Sequence, residues 1–327
     1  MRKFIQLVST AAIYFLAFAI PVVKSGEKTK PIRLKITHVY KTVGDVKIHA
    51  DVYRVNDKKL RPCLVWIHGG ALINGSRRSV PRRLLNLAKE EDYVLISLDY
   101  RLAPEVKLPE IIDDIKDAFT WIDTYGKKSL GVDTNRIVVS GGSAGGYLTM
   151  MTGFCVKPRP KALVAYWGYG DVDGDWYTKP SKFYRTQTPL IDKAEALKAV
   201  HKGVLTESFG DISRGRGRYY RYLRQNGLWT KVVSGFDPKK EPRKLDPYCP
   251  VRNIDKHYPP IFMLHGTKDN DVPYEQSLNM AKELKRQNLP HVLISVPNAG
   301  HGLFGGDPKL ATSGHEQALA FIRNHLK

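Results

Sequence analysis

The sequence predicts an α/β protein built on a doubly wound, mostly parallel sheet of eight strands. Three observations predict it. Six short, near-continuous apolar runs recur along the chain: "CLVWIHGG", "YVLISLDYR", "RIVVSGG", "ALVAYWG", "IFMLHG" and "HVLISV". Strands covered on both faces read this way. Helical patterns fall between these runs, so strand and helix alternate. With 327 residues, 42% of them hydrophobic, the chain can fill one large core.

Taken in order, "IRLKITHVY" (32–40) and "VKIHADVYR" (46–54) alternate apolar and polar residues. They are expected to be half-exposed antiparallel strands, the first two of the eight. Helices are expected over 81–91 and 108–125. Near the end, "YEQSLNMAKELKRQ" sets Leu278, Ala281 and Leu284 on one face, and "HEQALAFIRNHLK" does the same with Leu319, Ile322 and Leu326. Residues 171–256, roughly, break the alternation. They are long for a connection and rich in Tyr, Trp, Arg and Pro, which predicts a cap inserted after the sixth strand. Within it, "DKAEALKAVHKGV" reads as helix, and Trp176, Tyr177, Phe183, Tyr184, Tyr219, Tyr220 and Trp229 read mostly as cap core, with one or two lining a pocket.

Residues 1–25 read as an export signal. Arg2 and Lys3 precede an apolar run from Ala11 to Val23, and "AFA" and "VKS" offer small-residue cleavage sites. An uncleaved membrane anchor is the alternative. On the first reading the mature chain, 26–327, is periplasmic or secreted and has no membrane span. It keeps 49 Lys and Arg against 32 Asp and Glu, a balance of +17. Such a surface attracts anions, whether acidic polysaccharide, lipid headgroups or nucleic acid, and leaves the reaction undefined. Cys63 and Cys155 lie in apolar runs and read as core thiols. With Cys249 the count is odd, and no pair has metal-ligand spacing.

The stretch "RIVVSGGSAGGYLTMM" (136–151) runs from strand to helix through four glycines around Ser143. A serine is a poor nucleophile until a base takes its proton. A tight strand-to-helix turn exposes the hydroxyl above the sheet edge in a strained backbone conformation. Gly141 and Gly145 clear space where strand and helix pass closest, and Gly142 and Gly146 are expected to relax the packing further. The N–H of Ala144 opens the helix and is free to meet an oxyanion. Upstream, "LVWIHGGALING" ends a strand in His68, Gly69, Gly70 and Ala71, whose N–H groups can turn to the same oxygen. His68 itself reads as a brace for that loop.

Downstream, "IFMLHGTKDNDVPYEQS" ends a strand in acidic residues. Asp269 is the first choice for a carboxylate that orients an imidazole, with Asp271 in reserve. "HVLISVPNAGHGLFGG" ends the last strand in a loop bearing His301, the expected base. Asp171, Asp173 and Asp175 alternate as in a calcium loop, but Trp176 and Lys182 stand where that loop needs glycine and glutamate. No metal site is expected. Asp171 is a substitute acid if Asp269 is misplaced. "SRGRGRYYRYLRQ" reads as a solvated basic face and not a nucleic-acid surface. A sharper reading has Arg216, Arg218 or Arg221 meeting an acidic carbohydrate.

With "HGGA", "LDYRLAPE", "GGSAGG", "HGTKDNDVP" and "GHG", residues 60–327 resemble α/β-hydrolase-fold esterases of the hormone-sensitive-lipase-like and acetyl-xylan/feruloyl-esterase-like groups. The order Ser143, Asp269, His301 is similar to that family's order. The resemblance implies an α/β-hydrolase fold, no cofactor, and a Ser143–Asp269–His301 triad. It also implies oxyanion donors from Gly70 and Ala144 with Gly69 or Ala71. Lipase-like members carry Asp before the nucleophile and a third Gly after the histidine, where this chain has Gly142 and Ala71. That draws the resemblance toward the xylan-esterase-like branch. The implied activity is hydrolysis of small or carbohydrate-borne carboxylic esters through an acyl-enzyme. A prolyl-oligopeptidase-type peptidase shares the chemistry, but only about 40 mature residues precede "HGG", too few for a gating propeller. A glycan-binding module on a hydrolase scaffold is the non-catalytic alternative. Oligomeric state is open.

Overall fold

The structure is a computed structural model and describes residues 33–327; the export-signal reading falls outside them. Two strands, β1 (Arg33–Val43) and β2 (Val46–Val55), form a hairpin in which Val43 pairs with Val46. The two-residue turn uses Gly44 at φ +56°, a conformation glycine adopts without penalty. β3 (Arg61–Ile67), β4 (Val94–Leu98), β5 (Val132–Gly142), β6 (Ala162–Tyr166), β7 (Ile261–Gly266) and β8 (His291–Val296) follow. The sheet order is β1-β2-β4-β3-β5-β6-β7-β8. β2 runs antiparallel to β1 and β4, and all pairs from β4 to β8 are parallel. This is the predicted eight-stranded, mostly parallel sheet.

Alternate residues along the strands point to opposite faces. Val65, Ile67, Val139, Leu163 and Ala165 join a core with α2 (Leu108–Tyr125) and α3 (Ala144–Cys155). Leu64, Trp66, Val138, Val164 and Leu264 join a second core with α1 (Arg82–Glu90) and the C-terminal helix (Pro308–Leu326). The α2 limits match the expected 108–125, because Ile111, Ile112, Ile115, Ala118, Phe119 and Ile122 make one buried stripe. β8 departs from expectation. It is an edge strand on which Val292 is 37% exposed, while Leu293 and Ile294 are half-buried against the two cores and Val296 is fully buried.

Between β6 and β7 the chain forms short helices α4 (Asp175–Thr178), α5 (Lys182–Thr186) and α6 (Lys193–Leu197), then α7 (Gly210–Asn226) and α8 (Trp229–Ser234). The stretch 192–204 is helical only over α6. Tyr177 stacks on Trp229 at 3.7 Å, and both are buried with Tyr219. Phe183 is exposed. "LDYRLAPE" fastens this insertion to the sheet. Glu105 accepts from Arg216 at 2.5 Å and the Ala103 carbonyl accepts at 3.1 Å, while Arg101 pairs with Asp114 of α2 at 2.8 Å. Arg216 is fully buried, so it cannot meet a carbohydrate from solvent. Arg218 pairs with Glu195.

The last two helices, α9 (Glu275–Arg286) and α10 (Pro308–Leu326), complete the layers. α9 buries Gln276, Ser277, Met280 and Leu284 and leaves Leu278 and Ala281 only partly covered. The buried face is rotated from the expected one because Gln276 bonds Asp171 and the backbone of Gly170, and Ser277 bonds His265. α10 buries Ile322 and Leu326 as expected, with Ala318 in place of Leu319. Cys63 and Cys249 are buried and Cys155 is half-buried; none is in a disulfide. Among the described residues no helix is long and apolar enough to cross a membrane.

Candidate active site

Register decides where the chemistry gathers. Ile67 pairs with Gly141, Gly142 with Tyr166, and Gly266 with Val296, so the carboxyl ends of β3, β5, β6, β7 and β8 lie along one edge. The segments leaving that edge carry Gly69, Ser143, Trp167, Asp269 and His301.

Ser143 sits between β5 and α3 at φ 57°, ψ −122°, a strained conformation for a residue with a side chain. The surrounding backbone enforces it. A Cβ on Gly141 would lie 2.2 Å from the Gly145 carbonyl oxygen, and one on Gly145 would lie 2.0 Å from that of Ile67. A Cβ on Gly146 would meet Gly168 at 2.9 Å. Gly142 differs: its added Cβ would make only ordinary contact with Trp167 at 3.4 Å. The expectation that Gly142 relieves crowding is therefore not met.

The structure brings Ser143, Asp269 and His301 together. Ser143 Oγ lies 3.1 Å from His301 Nε2, and His301 Nδ1 lies 2.7 Å from Asp269 Oδ2. Asp269 Oδ1 accepts the backbone N–H groups of Asp271 at 2.8 Å and Val272 at 2.9 Å. The acid and histidine loops are stitched together: Lys268 N–H donates to the Ala299 carbonyl, and Asn298 N–H to Thr267 Oγ1. A Cβ on Gly266 would lie 2.3 Å from that same Ala299 oxygen, so only glycine permits this approach.

His265 was not singled out from sequence. It is fully buried at the end of β7, with Nε2 3.3 Å from Asp269 Oδ2 and 3.0 Å from the Val272 carbonyl. Its other nitrogen contacts Ser277 Oγ at 2.7 Å. The only sequence trace of this support is a histidine at the end of an apolar strand. Burial alone would raise the Asp269 carboxyl, but hydrogen bonds from His265 and His301 outweigh it and hold the carboxyl well below the usual carboxylate range. Burial alone would likewise lower the His301 imidazole. The hydrogen bond with Asp269 and the charges of Asp271 and Asp269 overcome it and hold the imidazole above its ordinary 6.5.

A base must be neutral to accept a proton. With His301 as the base and its folded value above 6.5, turnover is expected to fall as pH drops through a midpoint above 6.5 and to level off on the alkaline side. A kcat/KM profile with a half-maximum below 6.5 would contradict this assignment of the base.

His68 is buried and stacked on Tyr100 at 4.3 Å, with Nδ1 2.8 Å from the Gly69 carbonyl oxygen. Burial pushes it down to about 4, so it is neutral and acts as the expected brace. Gly69 packs against the turn that carries Ser143, where an added Cβ would lie 2.6 Å from the Gly142 oxygen. Gly70 stands at φ +115° and Ala71 at φ 56°, turning the loop over this edge. Asp171 is not a substitute acid: it accepts from Trp176 Nε1 at 3.0 Å and Gln276 Nε2 at 2.9 Å. Asp173 pairs with Arg252 at 2.8 Å and Asp175 with Lys179 at 2.7 Å.

Residues 64–208 match the family described as the alpha/beta hydrolase fold, and residues 219–327 match the prolyl oligopeptidase family. A non-reducing polyketide synthase of Preussia isomera, Preu6, is 27% identical over 293 residues, or 80% of this chain and 13% of the synthase. The chain thus spans about an eighth of such relatives. Esterase LipC of Mycobacterium tuberculosis is 26% identical over 264 residues, 77% of this chain and 56% of that protein. Thermogutta terrifontis esterase 2, phosphorylated by paraoxon, superposes with a TM-score of 0.61 at 22% identity, covering 88% of this chain and 93% of that one. At that identity the likeness is one of fold. The matched segment 64–208 runs from β3 through the turn that carries Ser143, and with that structural likeness the protein has the α/β-hydrolase fold.

Proposed function

We propose that the chain is a serine carboxylesterase working through an acyl-enzyme, with small esters or acylated carbohydrates as substrates. The observation that carries this is the continuous contact from Ser143 Oγ through the His301 imidazole to a buried carboxylate. His301 Nε2 takes the Ser143 proton as Oγ attacks the ester carbonyl. The N–H groups of Ala144 and Gly70, with Gly69 or Ala71, receive the oxyanion. Collapse passes the proton from Nε2 to the leaving alcohol, and water repeats the sequence to free the acid. Asp269 stays ionised throughout and holds Nδ1–H. The esterase name of LipC supports the reaction class, and the carbohydrate preference rests on Gly142 and Ala71 as xylan-esterase-like signatures. An exported location, read from residues 1–25, belongs to the same proposal.

The match of residues 219–327 to the prolyl oligopeptidase family favours a second reading, peptide hydrolysis with the same residues. Nitrophenyl acyl esters, acetylated xylan, feruloyl esters and peptide amides, assayed with wild type and Ser143→Ala, decide between them. Ester turnover that disappears in the variant is expected. Turnover of peptides alone would install the peptidase, and turnover that survives in the variant would remove both.

A further inference from the structure

The two aspartates of "DND" serve different nitrogens of the same ring. Asp269 meets Nδ1, whereas Asp271 Oδ2 lies 3.6 Å from Nε2, the nitrogen that faces Ser143. That separation is too long for a hydrogen bond and close enough for a direct charge contact. Asp271 is held there from the cap. Its Oδ1 accepts from Tyr220 Oη at 2.5 Å and from Arg224 Nη1 at 2.8 Å, which leaves Oδ2 to face the imidazole. Arg224 also donates to the Asp271 carbonyl at 2.9 Å. Its guanidinium is 2% exposed at the side chain and walled by the rings of Trp176, Tyr177, Tyr184 and Tyr220, 4.9–5.7 Å away. Such burial and caging fix its place.

We propose that Asp271 is a second carboxylate positioning and stabilising the His301 cation, and that Arg224 of the cap helix α7 limits its effect. This rests on His301 acting as the base. When the Ser143 proton moves to Nε2, the imidazolium lies between two carboxylates, one on each nitrogen. Asp271 takes no proton: the hydrogen passes from Oγ to Nε2 and then to the leaving oxygen. The groups against the ring are Asp269 and Asp271 from the loop after β7, Ser143, and Trp167 at 6.2 Å, with Arg224 and Tyr220 of α7 behind Asp271. Of the charged ones, both aspartates favour the cation and Arg224 opposes it. The cap therefore adjusts the base directly, besides shaping access.

The test is the acid limb of kcat/KM for a neutral nitrophenyl acetate ester. Asp271→Asn keeps shape and removes charge; its limb is expected about one pH unit lower than wild type, with plateau turnover about three- to tenfold slower. Arg224→Gln removes the opposing charge, and its limb is expected about half a unit to one unit higher. A merely structural role for either residue would reduce activity without moving the limbs in opposite directions. Folding is checked by thermal melts, and if Arg224→Gln does not fold, Asp271→Asn decides alone. An unmoved or alkaline-shifted limb in Asp271→Asn, with turnover still abolished by Ser143→Ala, overturns this inference and leaves the triad intact. Turnover that survives Ser143→Ala overturns the triad itself.

Discussion

Ser143→Ala is expected to lower kcat on nitrophenyl esters by about 10⁵- to 10⁶-fold. The magnitude follows from the roles proposed for the three residues. Once the nucleophile is gone, the base has no proton to take and the carboxylate no cation to stabilise, so His301→Ala added to Ser143→Ala should cost almost nothing more. Asp269→Asn leaves Ser143 and His301 in place but offers an amide where Nδ1–H needs an acceptor. A loss of about 10⁴-fold is expected, because the imidazole is then held in the wrong tautomer. Rates measured at the alkaline plateau, on protein shown to be folded, check both values. A Ser143→Ala enzyme retaining more than about a hundredth of wild-type turnover would exclude Ser143 as nucleophile.

The second large effect is on folding. In an open helix, Gly→Ala would stabilise by up to about 1 kcal/mol. Gly145 is helical, yet its added Cβ would lie 2.0 Å from the Ile67 carbonyl oxygen and 2.7 Å from that of His68. Both are backbone atoms at the end of a central strand, with no rotamer to change. Relief requires moving α3 off the sheet, which opens the core and displaces Ser143. Gly145→Ala is expected to destabilise by more than about 3 kcal/mol, or to abolish folding. Gly142→Ala is the matched control, because its Cβ would make ordinary contact with a side chain. It should fall within about 1 kcal/mol of wild type. Urea unfolding of the two variants measures the difference, and equal stability would show that the turn is less constrained than the contacts imply.

The same pair of glycines shows how far the sequence could be read. Four glycines around a serine announced a tight strand-to-helix turn and set Gly141 and Gly145 at its closest point, but the letters did not separate Gly142 from Gly146. Ranking required the distance from each Cα to the neighbouring backbone, which the register between β3 and β5 sets. Asp269 and Asp271 pose the same problem two residues apart. Both end the same apolar strand, and either could have faced the histidine. The loop folds so that Asp269 takes Nδ1 and Asp271 comes near Nε2. Within the basic, tyrosine-rich run the sequence pointed to Arg216, Arg218 or Arg221 and passed over Arg224. Arg216 is consumed by Glu105 at the floor of the cap, and Arg224 stands beside the site in an aromatic cage.

What the sequence by itself determined is the order of the elements and the residue types carried at each strand end. Apolar runs of strand length, glycine spacing and the polar residue after each strand are local properties, and they survive as written. What only the tertiary structure decided is which side chains meet: His265 under Asp269, Arg224 over Asp271, and Val292 of the edge strand β8 left to solvent. The reason is physical. Those contacts join positions as much as 47 residues apart, and burial, register and competing donors choose among chemically equivalent candidates only once the chain has packed.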